Sequence, residues 1–188
     1  MRAEQSGDSW PHPGYLQLNP VEAAHTVDLW RTSPGSTETQ LAVARLKQTI
    51  QHILDSDTEA SVCWPLVRHG HWTWLNFRRA DRSSAEAARP KWVTVYRDSL
   101  RQEHARCRDY AVIAMSLAVQ LFSADLMDSQ NLPERQLDTV QTDGTSCGFH
   151  CLFWAEQEYR RLRGEGQFKA SCQLRTKAET LSVFSRLA

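Results

Sequence analysis

An α+β fold, with a small central mixed sheet flanked by helices, is predicted by three features of the sequence. Two short segments rich in β-branched and aromatic residues, 61–67 (SVCWPLV) and 71–77 (HWTWLNF), flank a turn at His69-Gly70, and a third, 92–96 (WVTVY), follows. Longer stretches with apolar residues three and four apart lie on either side, at about 38–55 and from Asp98-Ser99 to about 124. A further helix is expected to open at Ser146 or Cys147, directly after a Gly-containing turn.

Taken in order, residues 1–19 read as a loose arm. A short helix is expected over 20–31, with Asn19 as cap and Pro20 at its first position. The segment 32–37 is turn-rich. In the helix at 38–55, Leu41, Ala44, Leu46, Ile50, Ile53 and Leu54 are expected to form the buried stripe. The polar stretch 78–90 reads as a loop between the second and third strands. In the long helix, Leu100, Cys107, Tyr110, Ala114, Leu117 and Leu121 are expected to face inward. A short strand near 137–141 and the turn 142–146 lead to the Cys147 helix, which Gly164 and Gly166 should stop near Arg163. Residues 176–187 predict a last helix. The chain divides into an N-terminal arm, 1–35, divergent or partly disordered, and one folded domain, 36–188.

Bulk properties narrow the function. The 188 residues suit one domain with a real core, and 41% hydrophobic with 23% charged residues is ordinary for a globular chain rather than a disordered one. Lys+Arg and Asp+Glu are both 22, so net charge supplies no argument for nucleic acid or an anionic membrane. The start has no signal-peptide core, and no stretch approaches the ~18 apolar residues of a membrane span. The five cysteines include no Cys-x-x-Cys pair, which leaves a zinc ribbon or thioredoxin motif unsupported and suggests reduced thiols. An intracellular protein of the nucleus or cytoplasm is expected, monomeric, with no nucleic acid or membrane partner.

Four residues stand out chemically. Cys147 is placed at a helix start, where the dipole favours a thiolate and unpaired N–H groups can hold an oxyanion. Taken alone, such a cysteine is more often a small buried hydrophobe. His71 opens a strand and can project into a cleft. Asp98 ends the next strand, and capping the following helix would by itself explain it. Gln141, six residues before Cys147, is a natural oxyanion donor. A metal set of Cys147, His150 and Cys151 lacks a fourth ligand at standard spacing, so no metal is expected.

The strings PLVRHGHW (65–72), VTVYRDSL (93–100) and QTDGTSCG (141–148) together resemble the Ulp/sentrin-type SUMO proteases and their adenoviral-protease relatives. The resemblance spans about 60–163 and implies a papain-like cysteine peptidase. By it, His71 would be the general base, Asp98 its orienter, Cys147 the nucleophile and Gln141 the oxyanion-hole amide. Trp72 would pack beside the site and contact substrate, while Trp74 reads as core. It implies hydrolysis of peptide or isopeptide bonds after the tail of a ubiquitin-like protein such as SUMO or ubiquitin, free or in its conjugates, with no cofactor. The sequence departs from that pattern where Ser146 precedes the cysteine, where Arg97 separates Tyr96 from Asp98, and where no Trp-Leu-Asn-Asp-like segment precedes the base. That last departure keeps open a pseudoenzyme that only binds a ubiquitin-like protein. An acetyltransferase on the same fold is the other alternative.

Overall fold

The computed structural model describes residues 12–56, 59–79, 92–100, 105–122, 133, 135–136, 141 and 145–165. The expected tail helix at 176–187, Cys172, most of the 78–90 loop and residues 137–140 lie outside them. The elements run β1 (Tyr15–Gln17), α1 (Pro20–Thr32), α2 (Thr37–Asp55), β2 (Ser61–Arg68), β3 (His71–Arg79), β4 (Trp92–Asp98), α3 (Ala105–Phe122), β5 (Arg135–Gln136) and α4 (Cys147–Leu162). The strands form one mixed sheet in the order β1-β2-β3-β4-β5, antiparallel through β2, β3 and β4 and parallel at both edges. Among the described residues, no helix is long and apolar enough to cross a membrane.

The β2–β3 hairpin closes on Arg68 opposite His71. Its two turn residues, His69 and Gly70, have φ of 52° and 74°. Positive φ at both positions matches the right-handed twist of the strands and fixes the register without a longer loop. His69 accepts this strain because the alternative is a slip of one residue, which would turn every side chain of β3 to the wrong face.

Alternation along β2 and β3 sorts two cores. Val62, Trp64, Leu66, Leu75 and Phe77 pack with α1, α2 and α3. Cys63 and Trp74 pack with Cys151, Trp154 and Ala155 of α4. Trp74 is wholly buried there, as the sequence predicts.

Two expectations need correction. Residues 15–17 are not loose: they pair in parallel with Ser61–Cys63. Gly14 makes this possible, since a Cβ there would stand 2.2 Å from the Glu59 carbonyl oxygen. A three-residue edge strand held through the backbone leaves no alternation to read. Leu18, Ala23 and Val27 then join the main core, so the described part of 1–35 is packed. In α2, Leu46, Ile50 and Ile53 are buried, but Leu41 and Ala44 are exposed and Thr39 is buried in their place. At about 100° per residue, Thr39 falls in line with Leu46 and Ile50, whereas Leu41 and Ala44 fall on the far side. The Thr39 hydroxyl donates to the Ser33 carbonyl at 2.7 Å, tying α2 to the end of α1.

A buried ion cluster fixes α4 against the sheet. Glu158 is 1% exposed and accepts from Arg78 of β3, Arg161 and the Ser61 hydroxyl, with Arg97 of β4 at 3.7 Å. Burial pushes its carboxyl up, but the bonds from Arg78 and the charges of Arg78, Arg161 and Arg97 outweigh it and hold the group below the ordinary carboxylate range. Breaking such a cluster from one side typically costs about 3–5 kcal/mol, and it ties the C-terminal half of α4 to β2, β3 and β4. Arg97, which interrupts the aromatic–acid string, places its guanidinium 3.7 Å from the Glu158 carboxylate and helps lower its pKa.

Candidate active site

The register of β3 and β4 brings His71 to Asp98. Thr73 pairs with Asp98, and His71 lies two residues before Thr73 on the same face. Asp98 is therefore the diagonal neighbour of His71, within reach of a long side chain. His71 Nε2–H donates to Asp98 Oδ1 at 2.7 Å, and the same oxygen accepts from the Leu100 N–H at 2.9 Å. Asp98 is wholly buried, so its bond to the ring is sheltered from water. The expected helix-capping role of Asp98 falls on residues 101–104, outside the described ones. The described helix begins at Ala105.

α4 begins at Cys147, as the sequence predicts. Ser146 precedes it with no side-chain capping bond. Cys151, one turn deeper, donates to the Thr73 carbonyl at 3.6 Å, which seats this end of α4 on β3 above the His71–Asp98 pair. The Cys147 sulfur lies near enough to the His71 ring, and to the backbone of Trp72 and Gly148, for all three to lower its pKa. With Nε2 engaged by Asp98, Nδ1 is the ring nitrogen available to a neighbouring thiol. Gly148 lies under Trp72: a Cβ there would be 3.7 Å from the indole. The half-buried Trp72 thus packs over the first turn of α4, beside Cys147.

Electrostatics follow from these contacts. Burial pushes the Cys147 thiol up, yet the bonds from His71 and from the Trp72 and Gly148 backbone, with the charge on His71, bring it below the ordinary thiol value. Burial lowers His71, but the bonds to Asp98 and Cys147 and the charges of both raise it to about 9. The two shifts run in the directions that favour a thiolate beside an imidazolium. The other described thiols go the opposite way. Burial, helped by the Glu158 charge, lifts Cys63 to about 12. Burial and the nearby Asp98 and Cys147 charges lift Cys107 to about 11, and the same causes raise Cys151.

Selective alkylation follows. Brief treatment with iodoacetamide near neutral pH should modify Cys147 first, at a rate that already rises below the ordinary thiol pKa of about 8.5. Mass-spectrometric mapping checks this, and earlier labelling of Cys63, Cys107 or Cys151 would contradict it.

Gln141 is 7% exposed, with its N–H donating to the Ser99 carbonyl at 2.6 Å and its Oε1 accepting from the Ser99 hydroxyl at 3.0 Å. Thus His71, Asp98 and Cys147 come together, Trp72 borders them, and Gln141 is tied to the residue after Asp98. The sequence did not point to Ser99, whose partner lies 42 residues away. Nor did it point to the Trp72 backbone as a group that lowers the Cys147 thiol. Among the described residues, no group of three or more His, Cys, Asp or Glu is arranged to hold a metal. His150 instead faces Trp154, with ring centroids 6.1 Å apart.

No family model matches the chain, and no curated protein matches it in sequence. Solved structures do match. The effector protein XopD of Xanthomonas campestris, bound to ubiquitin, aligns with a TM-score of 0.52 at 17% identity, over 92% of this chain and 78% of that one. A mutant of Xanthomonas XopD aligns at 0.55 and 16% identity, over 93% and 85%. The SUMO protease Ulp1, with its catalytic cysteine oxidised to a sulfinic acid, aligns at 0.53 and 12% identity, over 90% of this chain and 65% of that one. At such identities the likeness is one of fold: the α+β chain described here has the Ulp-type cysteine peptidase fold.

Proposed function

We propose that this chain is a cysteine-type peptidase that hydrolyses peptide or isopeptide bonds after the C-terminal tail of a ubiquitin-like protein. The observation that carries the reading is the His71–Asp98 bond of 2.7 Å, with Cys147 at a helix start near enough to the same ring that each shifts the other's pKa. A cysteine that was merely a core hydrophobe would not need its thiol held down, and the neighbouring Cys151, raised by burial and by the Cys147 and Asp98 charges, shows the opposite behaviour.

The steps are those of acyl transfer. The Cys147 thiolate attacks the carbonyl carbon, and the carbonyl electron pair moves onto oxygen. The Gln141 amide and backbone N–H groups at the start of α4 hold that oxyanion; losing one such donor typically costs about 2.7–4 kcal/mol of barrier. The His71 imidazolium protonates the leaving amine, and the C–N bond breaks to leave a thioester on Cys147. Neutral His71 then takes a proton from water as its oxygen attacks the thioester, and the carboxylic acid and thiolate separate. Asp98 holds the ring throughout and stabilises its positive charge whenever the imidazolium forms. No metal or cofactor enters any step.

Trp72 over Gly148 supports a narrow approach suited to a tail of small residues, such as Gly-Gly. The ubiquitin bound to XopD supports a ubiquitin-like partner for this fold. The test is incubation with ubiquitin-like proteins ending in Gly-Gly and carrying a C-terminal electrophile, SUMO and ubiquitin among them. At least one should form an adduct mapped to Cys147. Reversible binding without any adduct or turnover would favour a pseudoenzyme that only holds its partner.

A further inference from the structure

Ser99 has no part in the steps above, yet it is wholly buried and makes two bonds to Gln141. The Gln141 N–H donates to its carbonyl at 2.6 Å, and its hydroxyl donates to Gln141 Oε1 at 3.0 Å. We propose that Ser99 is the positioning residue of the oxyanion amide, turning the NH2 end of Gln141 toward the developing charge. The inference rests on the peptidase reading.

A primary amide carries an acceptor at one end and a donor at the other, and the torsion that exchanges them is broad and roughly two-fold. Only the NH2 end can stabilise an oxyanion; the oxygen end would repel it. A catalytic amide therefore needs a group that chooses between the two orientations. Asp and Glu side chains would take the NH2 end for themselves. A hydroxyl that donates to Oε1 does the opposite and leaves the donor end on the far side of the amide carbon. The backbone bond from Gln141 to Ser99 adds a second constraint, on where the residue's Cα stands.

Placement strengthens the case. Ser99 directly follows Asp98, whose carboxylate holds His71. Two consecutive residues at the end of β4 thus fix the base and the amide, and any shift of that strand end moves both together. Both are sheltered, Ser99 fully and Gln141 to 7% exposure, so their bond does not compete with bulk water.

The test is a double-mutant cycle on whichever Gly-Gly-ended substrate the wild type turns over. Ser99→Ala should lower kcat about tenfold to a hundredfold with KM little changed, because the amide still enters the site but is misoriented for part of the time. Gln141→Ala should cost about 10²–10³ in kcat. Adding Ser99→Ala to Gln141→Ala should cost less than about twofold more, since Ser99 acts through Gln141 alone. Ser99→Thr, which keeps the hydroxyl, should stay within about threefold of wild type. The rate of Cys147 alkylation by iodoacetamide, which needs no oxyanion hole, should be unchanged in Ser99→Ala. That rate also counts intact sites should the variant fold incompletely.

Multiplying losses in the double mutant would overturn the inference, as would a loss confined to KM, slowed alkylation, or a folded Ser99→Thr as impaired as Ser99→Ala. Each of those outcomes leaves the peptidase reading intact. Absence of wild-type turnover on every Gly-Gly-ended substrate overturns both.

Discussion

Cys147→Ala should abolish turnover, by a factor on the order of 10⁶ in kcat, while leaving the affinity for a ubiquitin-like partner within about threefold of wild type. The factor is that seen when a nucleophile with its own base is removed. Affinity should hold because Cys147 is 3% exposed and offers a partner little surface. The same change carries a second signature at His71. Part of what raises that ring to about 9 is its bond to Cys147 and the thiolate charge. Removing both should lower the His71 pKa, visible in an NMR titration of the ring. Steady-state kinetics beside a binding titration checks the first expectation. Equal, small effects on both would defeat the catalytic assignment.

The strands and helices around the site were legible because their signals are local. The 61–67 and 71–77 segments announce themselves by composition, and His69-Gly70 is a turn whose chemistry two residues express. Cys147 at a helix start follows from the turn before it. What stayed hidden depends on partners distant in sequence. β1 is three residues held by backbone pairing to Ser61–Cys63, and its one cue, Gly14, is intelligible only once Glu59 is known to lie against it. Arg97 looks like a blemish in the string VTVYRDSL until Glu158, on another element, is seen to accept from Arg78 and to draw Arg97 to 3.7 Å. The exposed Leu41 has another cause. A stripe drawn from apolar residues roughly three and four apart includes it, although the helical angle to Ile50 puts it on the outer side.

The site divides the same way. His71 and Cys147 could be read from their positions at a strand opening and a helix start. Their contact, and the diagonal that joins His71 to Asp98, is set by register, which a sequence specifies only through the turn and the buried faces. The Ser99–Gln141 pair had no local signal: a serine after an aspartate at a strand end reads as a turn residue, and only the return of the chain at residue 141 gives its hydroxyl a partner.

Asp98→Asn should lower turnover by about 10²–10⁴-fold, clearly less than Cys147→Ala, and should do so without moving the ring. Both bonds to Asp98 fall on one atom, Oδ1, which accepts from His71 Nε2 and from the Leu100 N–H. An asparagine with its carbonyl oxygen in that place keeps both bonds, so orientation survives and only the negative charge is lost. The signs then follow. The Asp98 bond and charge raise His71, so the neutral amide should bring its pKa down from about 9. The imidazolium then persists only to lower pH. Above that lowered value Cys147 loses the neighbouring positive charge that helps depress its thiol, and its own pKa should rise. The two limbs of the activity profile therefore approach each other. In the wild type, activity should rise with pH through the depressed Cys147 value and fall as pH passes about 9. In Asp98→Asn the rising limb should move to higher pH, the falling limb to lower pH, and Cys147 alkylation near neutral pH should slow. Measured pH profiles of kcat/KM and of alkylation for both proteins decide the matter. A variant that loses activity with both limbs unmoved would show that Asp98 serves only to hold the strand end, and that the charge on His71 is set elsewhere.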